Sequence, residues 1–121
     1  MAKTVLLIED EPNIIEAISF LLSREGWRVC THSDGATAIE AVHRENPAVV
    51  MLDVMLPNKS GFEILRELRE NPETAELPIL MLTAKGQTKD RELAESYGVS
   101  HFMTKPFSNQ DVVDRVNALA G

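Results

Sequence analysis

The sequence predicts an open α/β domain, a parallel sheet of five strands wound on both sides by helices. Two observations carry that expectation. Short β-rich apolar runs alternate with longer stretches of helical period, five times along the 121 residues. At least the first, third and fourth runs are apolar at consecutive rather than alternate positions, as strands covered on both faces are. Parallel neighbours need helical crossovers, and right-handed crossovers build a doubly wound sheet.

Each element can be justified in turn. The first run is Val5 to Ile8. Pro12 suits the first turn of the helix that follows, and its Ile14, Ile18, Leu21 and Leu22 share one stripe before Gly26 ends it. The second run, Val29 to Thr31, precedes Thr37-Ala-Ile-Glu40, which has capping-box spacing; Asn46-Pro47 closes that helix. After the third run, Ala48 to Leu52, Ser60-Gly-Phe-Glu63 repeats the capping spacing and Ile64, Leu65 and Leu68 form a stripe. The charged residues from Arg66 to Glu76 are expected to be a solvated helix face and loop. Ile79 to Leu82 is the fourth run, with Gly98 punctuating its helix, and His101 to Met103 is the fifth. A last helix runs toward Gly121.

Composition narrows the function. With 44% hydrophobic residues and room for one core, the chain is expected to be one domain over 1–121, with no output domain beyond it. Twelve Lys and Arg against 19 Asp and Glu give a net charge of −7, which disfavours direct nucleic-acid binding. Cys30 is the only cysteine, so neither an internal disulfide nor a cysteine metal cage can form. No apolar run reaches the ~20 residues of a membrane span and no signal peptide is evident, so a cytoplasmic location without membrane attachment is expected. His32, His43 and His101 lack metal-ligand spacing. Trp27 reads as an anchor at the edge of the core.

In open parallel sheets ligands bind outside the carboxyl ends of the strands. There the first strand runs into Glu9-Asp10-Glu11, the third into Asp53, the fourth into Thr83-Ala84 and the fifth into Thr104-Lys105-Pro106. Taken singly, these residues are ordinary helix starts, turns and caps. Together, Glu9, Asp10, Asp53, Thr83 and Lys105 would put three carboxylates, a hydroxyl and one ammonium in a single pocket. One lysine cannot offset three carboxylates, whereas a hard dication can. Mg²⁺ takes oxygen ligands at ~2.0–2.1 Å and commonly uses one or two carboxylates with phosphate oxygens. The acidic run after the first strand is therefore expected to be part of a magnesium site.

Four segments, VLLIEDEPN, VVMLDVMLPNKSGFEIL, PILMLTAKGQ and HFMTKPF, occur in the order and at the separations that make the chain resemble the receiver domain of bacterial response regulators. The resemblance implies the flavodoxin-like strand order 2-1-3-4-5. It implies that Asp53 is the phosphoacceptor, and that Asp10, Asp53 and the backbone carbonyl of Met55 hold Mg²⁺, with Mn²⁺ as a substitute. Glu9 would act through water. Thr83 would contact the phosphoryl group and Lys105 would pair with it, while Thr83 and Phe102 would form the switch. Met55 and Lys85 match positions that tune dephosphorylation, and Lys105-Pro106 matches a bond that is cis in many relatives. The implied donor is a sensor histidine kinase or histidine phosphotransfer protein, and the implied reader is a downstream protein on the face of the fourth helix, fifth strand and fifth helix. Such a domain catalyses its own phosphorylation and dephosphorylation without being an enzyme for a separate substrate. It would be a monomer or a phosphorylation-dependent homodimer.

Three rivals share parts of this pattern. A flavin carrier needs a Ser/Thr/Gly-rich phosphate loop where Glu9, Asp10 and Glu11 stand. A haloacid-dehalogenase-like phosphatase needs an aspartate where Met55 stands. A pseudo-receiver would keep the fold as an interaction module without phosphorylation.

Overall fold

The computed structural model describes residues 3–84 and 88–121. Its elements are β1 (Thr4–Ile8), α1 (Pro12–Arg24), β2 (Arg28–His32), a 3-10 turn (Gly35–Thr37), α2 (Ala38–Glu45), β3 (Val49–Asp53), α3 (Gly61–Glu70), β4 (Ile79–Thr83), α4 (Thr88–Ser96), β5 (His101–Thr104) and α5 (Asn109–Leu119). All four strand pairings are parallel and the order is β2-β1-β3-β4-β5. Every predicted strand is present; the third begins one residue later than expected, at Val49. The register sets Ile8 beside Leu52, Asp53 beside Leu82 and Thr83 beside Thr104, so the carboxyl ends finish along one edge.

The consecutive apolar runs resolve into two faces because neighbouring residues of a strand point oppositely. Leu6, Ile8, Val50, Leu52, Ile79 and Met81 pack with Ala38 and Val42 of α2, Ile64, Leu65 and Leu68 of α3, and Ala94 of α4. Val5, Leu7, Val49, Met51, Leu80 and Leu82 pack on the other side with Ile18 and Leu22 of α1 and Val112, Val113 and Val116 of α5. Each fully buried Leu or Ile contributes on the order of 1.5–3 kcal/mol, as an upper figure. The packing is uneven, for Ala94 is the sole buried residue of α4.

Most of the local signals act as expected. Pro12 opens α1. Ser60 Oγ accepts from the Glu63 N–H at 3.3 Å, and Ser108 caps α5 in the same way. Gly26, Asn46 and Gly98 take positive φ after α1, α2 and α4. Trp27 is buried, and its Nε1 donates to Asn117 Oδ1 at 3.0 Å. The Lys105-Pro106 bond is cis.

Two readings need correction. Thr37 does not cap α2 through its side chain. The preceding 3-10 turn already carries the chain into the helix, with Asp34 accepting from Ala36 N–H, and the Thr37 hydroxyl lies 2.7 Å from His32 Nε2 instead. Arg69 is not a solvated charge of a helix face. Its guanidinium donates to Gly98 O at 2.7 Å, Thr74 O at 3.1 Å and Ser100 Oγ at 3.2 Å, tying the end of α3 to the turn before β5. Among the described residues no helix is long and apolar enough to cross a membrane.

Candidate functional site

Where β1 ends, the Glu9 N–H donates to His32 O at 3.0 Å, which holds the first acid against the sheet. Glu9 is fully buried. Its Oε2 accepts from the Asp10 N–H at 3.0 Å and its Oε1 from Lys105 Nζ at 2.7 Å. Asp10 is exposed beside it. Asp53, the last residue of β3, is only 4% exposed. The chain turns sharply after it, with Gly61 N–H donating to Val54 O at 2.9 Å. A Cβ at Gly61 would collide with the Asp53 carbonyl oxygen, so α3 can begin there only with glycine.

Thr83 ends β4 and is buried. Its carbonyl accepts from the Lys105 N–H at 2.7 Å, which fixes the lysine backbone just past β5. The Lys105 ammonium then reaches across the sheet edge to lie 2.7 Å from Glu9, 3.6 Å from Asp53 and 4.0 Å from Glu11. Carboxylate oxygens of Glu9, Asp10 and Asp53 lie within 4.8 Å of one another. The five residues singled out by strand ends are thus brought to the same edge of the sheet, and Glu11 joins them as a more exposed neighbour of the lysine.

Electrostatics follow from the crowding. Burial, then the hydrogen bond and charge of Glu9, push the Asp53 carboxyl up to about 7, against the opposing pull of Lys105 and the Met55 N–H. Burial alone would raise Glu9 too, but its hydrogen bonds to Asp53 and Lys105 and the lysine's charge bring it below the ordinary glutamate value. Burial would lower Lys105, yet its bond to Glu9 and the charges of Asp53, Glu9 and Glu11 raise it. The pair behaves as one ionised carboxylate, Glu9, beside a second, Asp53, that is reluctant to ionise.

The donor set fits a hard dication: buried and exposed carboxylate oxygens converge, with Lys105 as the cation among the described residues. Both Glu9 oxygens already accept hydrogen bonds, so Glu9 has less coordination to offer than the exposed Asp10 beside it. The Met55 side chain is exposed. Beside the site, Val54, Met55, Ser60, Phe62, Thr83, Ala84 and Asp90 line a mainly apolar hollow of about 420 Å³ that strand-end reasoning did not find. Phe102 lies inside, 5% exposed, with the Arg91 guanidinium 5.3 Å from its ring centroid. Lys85 falls outside the described residues.

The family profile described as the response regulator receiver domain matches residues 5–117. The chain belongs to that family. This receiver domain is 48% identical over 117 residues to the probable transcriptional regulatory protein TcrX of Mycobacterium tuberculosis, a match that takes in 96% of the chain but 49% of TcrX. It therefore spans about half the length of that curated relative. Among solved structures, the receiver domain of sensor histidine kinase PA1611 from Pseudomonas aeruginosa PAO1, with magnesium coordinated in its active-site cleft, superposes with a TM-score of 0.91 at 28% identity, over 100% of this chain and 99% of that one. The BeF3-activated N-terminal receiver domain of Klebsiella pneumoniae RstA gives 0.90 at 27% identity, over 97% of each chain. The receiver fold with strand order 2-1-3-4-5, expected from the motifs, is the one observed.

Proposed function

We propose that this receiver domain accepts a phosphoryl group on Asp53 from a phosphohistidine of a sensor histidine kinase or phosphotransfer protein. The observation that carries the reading is the convergence of a buried Asp53, two further carboxylates and the Lys105 ammonium at one strand edge. In the step, an Asp53 carboxylate oxygen attacks phosphorus, the P–N bond breaks, and the imidazole nitrogen keeps the electron pair and takes a proton. Water later cleaves the acyl phosphate, returning the carboxylate and inorganic phosphate.

The residues divide this work. Lys105 stands 3.6 Å from Asp53 and pairs with the charge gathering on the phosphoryl oxygens. Thr83, buried at the end of β4, supplies the hydroxyl that contacts the phosphoryl group. Asp10, Asp53 and the Met55 carbonyl would hold Mg²⁺ or a substituting Mn²⁺, with Glu9 acting through water or on the field. When bound, the dication supplies neutralisation of the carboxylates and the phosphoryl oxygens. Glu9 keeps Lys105 oriented. Exposed Ala84 and the apolar hollow leave room for the donor to approach.

A phosphoryl group adds about −2 charge and acceptor oxygens at Asp53, drawing Thr83 and changing the partners of Lys105. The response passes to Phe102 and to the face of α4, β5 and α5, where a downstream protein or a second copy docks. The domain thus modifies itself, and its product is a binding surface in the cytoplasm.

The test is incubation with Mg²⁺ and acetyl phosphate followed by intact-mass spectrometry. One added phosphoryl group, absent from Asp53→Ala, supports the reading. An unmodified wild-type protein would refute it and leave a pseudo-receiver that binds partners without phosphorylation.

A further inference from the structure

The turn after β2 is bonded to the loop after Asp53, across 24 residues of sequence. Asp34 Oδ1 accepts from Asn58 Nδ2 at 3.0 Å and from the Ala36 N–H at 2.9 Å. The Gly35 N–H donates to Pro57 O at 3.1 Å, and that same carbonyl accepts from the Lys59 N–H at 2.9 Å. A Cβ at Gly35 would stand 2.9 Å from Pro57 O and collide with the Lys59 carbonyl, so only glycine permits this approach. Asn58 adopts a left-handed φ of 70, a conformation asparagine tolerates better than most side chains. The loop is closed at both ends by Gly61 N–H bonding to Val54 O. Between these anchors lies Met55, two residues past Asp53, whose backbone carbonyl is the one assigned above to the dication.

We infer that Asp34, Gly35 and Asn58 form a latch that positions the Met55 backbone against Asp53, and so sets how tightly the carboxylate site takes a hard dication. This rests on the magnesium reading above. Asp34 and Asn58 belong to the β2 turn and the loop apex, not to the carboxylate cluster; they act through the path of the loop. A pinned loop presents its backbone already ordered, whereas a released loop must be ordered when the ion binds. Supporting contacts behind metal ligands commonly govern affinity in this way.

The experiment is calorimetric titration of MgCl2 into wild type, Asp34→Ala, Asn58→Gly, the double variant and Asp34→Asn, with the Met55 amide followed by NMR and each protein's urea midpoint recorded. Asn58→Gly keeps the left-handed backbone while deleting the amide. Each single deletion should weaken binding about three- to tenfold and move the Met55 resonance. The double variant should bind no more weakly than Asp34→Ala, which already loses the Asn58 contact along with that of the Ala36 N–H. Asp34→Asn should bind like wild type, since its amide oxygen still accepts. Unchanged affinity in both single variants beside a binding wild type would overturn the latch, even if their urea midpoints fell. No binding by wild type would overturn the magnesium reading, and the latch with it.

Discussion

Replacing Asp53 by asparagine keeps the shape of the side chain and removes its charge, which tests the electrostatic crowding directly. Burial first, and then Glu9, raise the Asp53 carboxyl from 3.8 to about 7. Its folded value lies above its unfolded one, so its contribution to stability is full below pH ~4 and is lost as pH rises through about 7. At 1.36 kcal/mol per unit, the loss approaches roughly 4 kcal/mol by pH 8 in metal-free protein. Between pH 5 and pH 8, wild type should lose about 2–3 kcal/mol relative to Asp53→Asn. Other groups do not mimic this. Glu9, held low, changes its contribution only below its unfolded 4.5, and Lys105, held high, only above 10.5. His101, lowered by burial and by Arg115 and Arg91, titrates alike in both proteins and cancels in the difference. The assay is urea unfolding in EDTA at several pH values, followed by the fluorescence of Trp27, the single tryptophan. Mg²⁺ at a hundred times its dissociation constant should then restore about 2.7 kcal/mol to wild type and far less to the variant. Parallel pH dependences for the two proteins would refute the argument.

Three further outcomes are expected. Lys105→Ala should slow labelling by acetyl phosphate about 100-fold or more, while calorimetry shows Mg²⁺ binding equal to or stronger than wild type because a competing cation has gone. Leu80→Ala, fully buried in the central sheet, should lower unfolding free energy by about 2–5 kcal/mol in urea. Arg69→Ala should cost about 2 kcal/mol and speed hydrogen exchange at the backbone around Gly98 and Ser100, whereas an exposed arginine would change neither.

The sheet was legible in the sequence because burial on both faces leaves uninterrupted apolar runs, as in VVMLD and ILMLT. The site was legible through the same route. Once five strands are parallel, whatever follows their carboxyl ends must share an edge, and that rule alone gathers Glu9, Asp10, Asp53, Thr83 and Lys105. Local patterns failed where a distant partner decides. Thr37 has the spacing of a cap, yet its hydroxyl meets His32 because the 3-10 turn had already begun the helix. Arg69 sits in a charge-mixed run, but only tertiary folding brings Gly98 and Ser100 within its reach. Asp34 and Gly35 carried no expectation from the sequence, since nothing near them points to Asn58.

The thin seating of α4 has an energetic corollary. With a single alanine embedded, this helix takes little of the free energy that the Leu- and Ile-rich interior supplies, so reseating it draws on few contacts and leaves the rest undisturbed. Its outer residues can therefore change with little effect on the stability of the remainder of the molecule. Of the five described helices it is the least embedded, with one buried residue among nine.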